Sequence, residues 1–466
     1  MSDAGPLRVL KFGGTSLGDA ARIRQAVQTV GEQAVERSLV VVVSALAGVT
    51  DELARAALAA SQGKERDWRR LDRSVRERHL QVCRELLGGE DARIAEVRLL
   101  APLAHFRDLC AGISLVREIP PRTRDSLISL GEVLAATLVA AALQRAGLPA
   151  ESVDAGELIV SDDVFGDAHV LFAPTRRRVR TRLLGMRRRR LLPVVTGFRA
   201  ATADGSTTSL GRGGSDYTAT VLGAALDAEA VWIFTDVDGM MTADPRLVPE
   251  AQVIPALSYR EATELAFFGA RVLHPKALEL PRLFRIPVLI KNSFAPERPG
   301  TRIADPGGAP AAVSALASTT TAALFTVAGG DTTGFTRLAA LVTAWLDAER
   351  VPTLMVTQSS AENVLSFVIN ASDRPRVARR LERERGRQEA LVAAVEQLSE
   401  VGMVVAVGEE MRGTPGIAAR LFGAVAAVGV NVIAIAQGSS ELSISLVVGS
   451  GDVPTVVRAL HREFAL

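Results

Sequence analysis

The chain has 466 residues, with 54 lysines and arginines against 52 aspartates and glutamates, a formal charge of +2, 48% apolar residues and 23% charged ones. That length predicts roughly three domains of about 150 residues, and the composition excludes a disordered or collagen-like chain. Without a signal-peptide pattern or an unbroken apolar run near the roughly 20 residues of a membrane span, a cytoplasmic protein with no membrane partner is expected.

The first predicted strand, 9–12, runs into Lys11-Phe12-Gly13-Gly14-Thr15-Ser16. Lysines are scarce here: only Lys11, Lys64, Lys276 and Lys291 stand among the basic residues, and the rest are arginine. A compact ammonium beside a glycine turn can meet one phosphate oxygen as a point charge, which a planar guanidinium does less well. Phosphoryl chemistry is the first suggestion. A second strand, 39–43, leads into Ser44-Ala45-Leu46-Ala47-Gly48-Val49-Thr50.

Glu132 lies in a helix, 127–140, that is apolar almost all round. A buried carboxylate needs a cation or strong donors, so a substrate ammonium or an internal arginine is expected beside it. Residues 176–190 are rich in arginine, but their spacing reads as a helix with a solvated basic face, and nucleic acid is not an expected partner. Cys83 and Cys110 have neither metal-ligand nor redox spacing, which fits a reduced compartment.

A strand at 194–198 precedes Ser209-Leu210-Gly211-Arg212-Gly213-Gly214-Ser215-Asp216, and a helix follows over 219–226. Glycines let backbone N–H groups approach an anion, and the helix start adds its positive end. Asp216 beside a phosphate implies an intervening divalent cation such as Mg²⁺, or else a helix cap. Neither glycine run matches the P-loop or the dinucleotide fingerprint. Strand 231–234 ends in Thr235-Asp236-Val237-Asp238-Gly239, at the carboxyl edge where open α/β sheets bind ligands. With strand 288–291, these continuous apolar runs predict a mainly parallel sheet covered by helices on both faces, a three-layer α/β sandwich.

Residues 305–312, rich in proline and glycine, read as a linker. Beyond it the chain repeats at an offset of 79 residues, 351–368 lying against 430–447, with Gln358 matching Gln437, Glu362 matching Glu441 and Ser366 matching Ser445. Each copy reads as strand, helix, strand, strand, helix in ferredoxin-like order. The first helices are expected at 335–348 and 415–428, with Pro415 in the first turn. Exchange of strands between the copies would blur their boundary near residue 400.

In this order, Lys11 to Ser16, Ser44 to Thr50, Gly131-Glu132, Gly211 to Asp216, Thr235-Asp236 and Phe268-Gly269-Ala270-Arg271-Val272-Leu273-His274-Pro275 resemble the aspartate kinases of the amino-acid kinase superfamily. The resemblance covers essentially the whole chain. It implies transfer of the γ-phosphoryl group of MgATP to the β-carboxylate of L-aspartate, the entry to lysine, threonine and methionine. It implies a catalytic domain over 1–304, a linker over 305–320 and two ACT domains over 321–399 and 400–466, with homodimers or larger homo-oligomers joined through the latter.

By the same resemblance, Lys11 and Arg212 would be catalytic together with Asp216, which would also organise the metal. Thr50, Glu132, Phe198, Ser209 and Arg212 would line the aspartate site. Gly13, Gly14, Ser16, Thr235, Asp236, Met241, Arg246 and Arg271 would join Lys11 around the nucleotide, although Met241 replaces a tyrosine of some members and Arg271 a lysine of many. Gln358, Asn431 and Gln437 would meet a feedback effector. Lysine-inhibited relatives can carry an aspartate where this chain has Leu354, which favours threonine over lysine. The rival readings are another kinase of the superfamily, acting on glutamate or a nucleotide, and a non-catalytic amino-acid sensor.

Overall fold

The computed structural model describes residues 6–269, 272–308, 312–330, 334–359, 362–387 and 392–466. It divides into two compact units, Met1–Met240 with Val272–Gly307, and Met241–Arg271 with Gly308–Leu466.

In the first unit the strands lie side by side in the order Ala150–Val153, Leu192–Thr196, Ser38–Val43, Leu7–Phe12, Ala230–Thr235, Val288–Asn292 and Thr301–Ile303. All neighbouring pairs are parallel except the last. The apolar runs that predicted buried strands form the centre: Leu10, Val41, Val43, Val194 and Phe234 are sealed from solvent within one core. The Phe12 and Phe234 rings stack at 4.8 Å, tying together two strands whose carboxyl ends carry the first glycine turn and Thr235. The expected strand 194–198 stops at Thr196. Phe198 turns out of it with a φ of 64°, which ends regular pairing.

Two helical stretches, Gly89–Val116 and Pro121–Arg145, the latter made of the consecutive helices Pro121–Ile128 and Leu130–Arg145, are long and apolar enough by length and composition to cross a membrane, which corrects the expectation that no segment is. The difference is physical: these stretches tolerate an occasional charge, such as Glu132, that breaks an unbroken apolar run. Pro121–Arg145 is largely buried as the centre of the helical layer, and Gly89–Val116 packs on Glu65–Leu86 and Val49–Ser61. The arginine-rich segment is the helix Phe172–Arg188, whose Arg176 and Arg180 pair with Asp227 and whose Arg182 pairs with Glu151. Cys83 and Cys110 are both free and buried, and burial pushes their thiols up to about 11 and about 12.

The second unit holds the repeat. One antiparallel sheet runs Thr353–Ser359, Val364–Asn370, Ala315–Gly329, Val392–Val407, Ser443–Gly449, Ala434–Gln437. Applied to strand Val364–Asn370, the offset of 79 lands on Ser443–Gly449, and applied to the helix at 374–387 it lands on Val453–Phe464. Each copy has its own core, one around Phe325, Phe367, Trp345 and Leu381, the other around Leu421, Leu446, Val457 and Leu460.

The strands Ala315–Gly329 and Val392–Val407 are long enough to serve both copies. Residues 315–319 pair with 403–407, and 322–329 pair with the other half. The second copy therefore takes its outer strand from the chain ahead of the first copy. Pro415 lies in a turn rather than in the first turn of the helix, which runs Ile417–Ala427 behind Gly416, whose φ of 90° makes the left-handed cap.

Candidate active site

The carboxyl ends of the parallel strands in the first unit surround a cavity of about 390 Å³. Lys11, Gly14, Ser44, Ala45, Leu46, Ala47, Gly48, Thr50, Glu132, Phe198 and the run 211–216 contribute to its wall. Four separate sequence signals thus meet in one place.

Lys11 stands at the end of strand Leu7–Phe12 and Asp216 in the first turn of helix Gly214–Leu226. Their side chains are almost fully buried, and Lys11 Nζ lies 2.6 Å from Asp216 Oδ1. Asp216 does not cap its helix; the residue before the helix is Gly213, with no side-chain cap. Gly213 has a φ of 69°, and a Cβ there would lie 2.3 Å from the His274 Cβ, so a bare backbone is required on both counts. His274 accepts from the Lys276 N–H through Nδ1 at 3.3 Å, at the start of helix Lys276–Phe284. Asp167, which pairs with Lys276 at 2.5 Å, stands beside Gly211.

Glu132 occupies the first turn of helix Leu130–Arg145 and is buried. Its Oε1 accepts from the Ala45 N–H at 3.2 Å, while Oε2 has no hydrogen-bond partner among the described residues. Burial dominates its chemistry and pushes the carboxyl up to about 8, with the Ala45 N–H and the more distant Arg199 charge opposing it. Arg199 itself is occupied by Asp154 at 2.8 Å and by the Ser129 hydroxyl at 2.9 Å. Among the described residues no arginine, the alternative open from sequence, pairs with Glu132. One buried acceptor oxygen is left for a ligand.

Thr50, Phe198 and Arg212 reach the cavity, and Arg212 is exposed at its rim. Ser209 does not line it: the residue is fully buried, with its N–H on Asp125 Oδ2 at 2.8 Å. Gly13 and Ser16 sit at the adjoining strand ends. Gly13 donates its N–H to the Phe234 carbonyl at 3.1 Å, and the Ser16 hydroxyl is 2.8 Å from that of Ser293, which in turn donates to the Thr235 carbonyl. Thr235 and the exposed Asp236 follow on the neighbouring strand, so four of the expected nucleotide residues cluster there.

Met241 and Arg246 belong to the second unit, where Met241 bridges Val253 and the exposed Arg246 pairs with Asp244 at 2.6 Å. Arg271 lies outside the described residues. Of the expected effector residues, Gln358 and Gln437 are exposed on the edge strands Thr353–Ser359 and Ala434–Gln437, and Asn431 is exposed just ahead of the latter.

Sequence reading missed Asp125, a fully buried carboxylate whose Oδ2 receives both the Ser209 and Gly166 N–H groups at 2.8 Å. It anchors the short strand Thr207–Ser209 that leads into the second glycine run. It also missed Asp51, a third carboxylate on the cavity wall beside Glu132 and Asp216, because an acid in a first helical turn is ordinary.

The Amino acid kinase family profile matches residues 6–292 and an ACT domain profile matches 404–464. Aspartokinase 2, chloroplastic, of Arabidopsis thaliana is 31% identical over 98% of this chain and 84% of its own length. The chain belongs to the amino acid kinase family, on its aspartokinase branch. Bifunctional aspartokinase/homoserine dehydrogenase 1, chloroplastic, of Zea mays is 32% identical over 98% of the chain, which spans only 50% of that relative. Among solved structures of the family, E. coli aspartokinase III in complex with aspartate and ADP superposes with a TM-score of 0.85 at 27% identity, over 99% of this chain and 100% of that one. The same enzyme in complex with lysine and aspartate gives 0.80 at 28% identity, over 98% and 99%.

Proposed function

We propose that the chain is an aspartate kinase, transferring the γ-phosphoryl group of ATP to the β-carboxylate of L-aspartate to give 4-phospho-L-aspartate and ADP. The observation that carries this reading is the shared cavity: a lysine for the phosphoryl group and a buried, half-unpaired carboxylate for an ammonium open onto one space. Its support from relatives is the complex of E. coli aspartokinase III with aspartate and ADP.

The attacking β-carboxylate is already ionised near neutral pH, so no strong general base is needed. Catalysis is then positioning and charge stabilisation. Lys11 neutralises charge that builds on the transferring group, and the two glycine runs let bare backbone approach the phosphates. Glu132 Oε2 takes the substrate ammonium, and Arg212 the α-carboxylate from the rim. Thr50 and Phe198 close the pocket. Thr235, Asp236, Gly13, Gly14 and Ser16 hold the nucleotide, with Met241, Arg246 and Arg271 assigned to it from the family resemblance alone.

Magnesium fits the residues present. Among the described residues no cluster of three His, Cys, Asp or Glu side chains could hold a metal, and Mg²⁺ ordinarily needs only one or two carboxylates besides water and phosphate oxygens. Asp216 is the carboxylate that would hold it, and the ion would supply charge neutralisation for the phosphates.

The test is to incubate the protein with MgATP and a panel of acidic amino acids and to trap acyl phosphate with hydroxylamine. Aspartate-dependent hydroxamate is the expected product. Product with glutamate alone supports the rival kinase reading, and no product supports the non-catalytic sensor.

The repeats 321–399 and 400–466 are proposed as ACT domains that bind an end-product amino acid and join subunits in a cytoplasmic homo-oligomer. Leu354 offers no carboxylate to a lysine side chain, and an unpaired ammonium would be disfavoured, so threonine is the favoured effector. The edge strands bearing Gln358 and Gln437 approach each other within 8 Å between Cα atoms, which suits one ligand contacted from both copies. Gln437→Ala is expected to weaken feedback inhibition while uninhibited turnover stays near normal, since regulation requires unequal effector affinity for two states. Inhibition curves unchanged for every proteinogenic amino acid would remove Gln437 from the effector site.

A further inference from the structure

We infer that Arg78 is a positioning residue for the reaction, clamping the phosphate-facing loop and the aspartate-facing loop to each other. The inference rests on the kinase reading above and adds a residue to it.

Arg78 lies on helix Glu65–Leu86, on neither of the glycine runs and not on the cavity wall. Its half-buried guanidinium reaches across two loops: Nη1 donates to the Ala47 carbonyl at 2.8 Å and Nη2 to the Gly18 carbonyl at 2.9 Å. Gly18 ends the turn Thr15–Leu17 that follows the Lys11 strand. Ala47 belongs to the loop after Ser38–Val43, which lines the cavity through Ser44, Ala45, Leu46, Ala47 and Gly48.

The two loops already touch. A Cβ on Gly14 would stand 2.9 Å from the Ala45 carbonyl, and the Ala45 N–H in turn holds Glu132. A second guanidinium, Arg22, ties the Thr15 carbonyl from the other side. Displacing either loop therefore moves the groups proposed to face phosphate and the carboxylate proposed to meet the substrate ammonium together. A planar guanidinium can satisfy two carbonyls at once in fixed geometry, whereas an ammonium on a flexible stem cannot hold the same fork. Because a misplacement of about 1 Å can reduce reactivity by as much as 100-fold, a clamp outside the cavity can matter to rate.

The experiment compares Arg78→Ala and Arg78→Lys with the wild-type chain, reading KM for aspartate, KM for MgATP, kcat and amide exchange of peptides spanning 13–18 and 44–48. Arg78→Ala is expected to raise both KM values and to lower kcat/KM roughly 10- to 100-fold. Arg78→Lys, which keeps charge and helix, should show the same pattern more weakly, and exchange should quicken in both loops. A role limited to folding would lower the active fraction and leave both KM values alone. Unchanged KM values and unchanged exchange in Arg78→Lys overturn the inference. A wild-type chain without aspartate-dependent turnover would sink the kinase reading instead, and loop exchange would still decide whether Arg78 couples the loops.

Discussion

Lys11→Ala is expected to lower turnover about 100- to 1,000-fold, the scale seen when a group stabilising transition-state charge is removed from a preorganised site. The KM for aspartate should change much less, because the proposed contacts of aspartate run through Glu132 and Arg212. Lys11 and Asp216 lie 2.6 Å apart with both side chains nearly enclosed, so the same substitution strands a buried carboxylate. A fall in thermal stability is therefore expected alongside the loss of rate. Lys11→Ala/Asp216→Asn should recover stability without recovering turnover. Steady-state kinetics with melting curves on the three proteins checks this, and near-normal turnover in Lys11→Ala would remove Lys11 from the chemistry.

Glu132→Gln is expected to raise the KM for aspartate roughly 100-fold, since truncating one side of a buried charge pair commonly costs about 2 to 5 kcal/mol. The pH dependence should change too. In the ligand-free fold the carboxyl is pushed up to about 8 from 4.5 because burial disfavours its charge. To meet a substrate ammonium it must release a proton. Below pH 8 aspartate binding should therefore expel one proton and weaken about tenfold for each unit of acidification.

Stability follows the same group with the opposite sense. A raised folded-state pKa means that its contribution is fully present below pH 4.5 and is lost as pH rises toward 8. Glu132→Gln should flatten both dependences. Titration calorimetry in buffers of different ionisation enthalpy measures the proton directly, and a pH-independent affinity across 6 to 8 would reject this role.

Much of the catalytic unit could be read from residue order. Lys11, the two glycine runs and Thr235 all follow buried strands, and a parallel sheet brings the carboxyl ends of its strands to one edge. That is why residues as distant as Lys11, Glu132 and Asp216 could be assigned to one site. Arg78, Arg199 and Asp125 were not legible for the converse reason. Each is a charged residue in a segment whose local pattern reads as a solvated face or a turn, and it is held by groups 30 or more positions away, backbone groups for Arg78 and Asp125 and the Asp154 and Ser129 side chains for Arg199.

The repeat was legible from its offset, since strands and helices recur at the same interval. The strand exchange was not, because pairing of 315–319 with 403–407 leaves no mark on the sequence of either. Nor did any compositional break announce that 241–269 packs with the C-terminal unit.

The most direct measurement supplies aspartate carrying ¹⁸O in its β-carboxylate together with MgATP and traps the product with hydroxylamine. Attack of the β-carboxylate on the γ-phosphorus places one labelled oxygen in the C–O–P bridge, and hydroxylamine at the acyl carbon then expels phosphate with that oxygen. Released phosphate bearing one ¹⁸O, formed by the wild-type chain and lost in Lys11→Ala, is the predicted result. Phosphate without label would mean that water, not aspartate, receives the phosphoryl group, and would contradict the account.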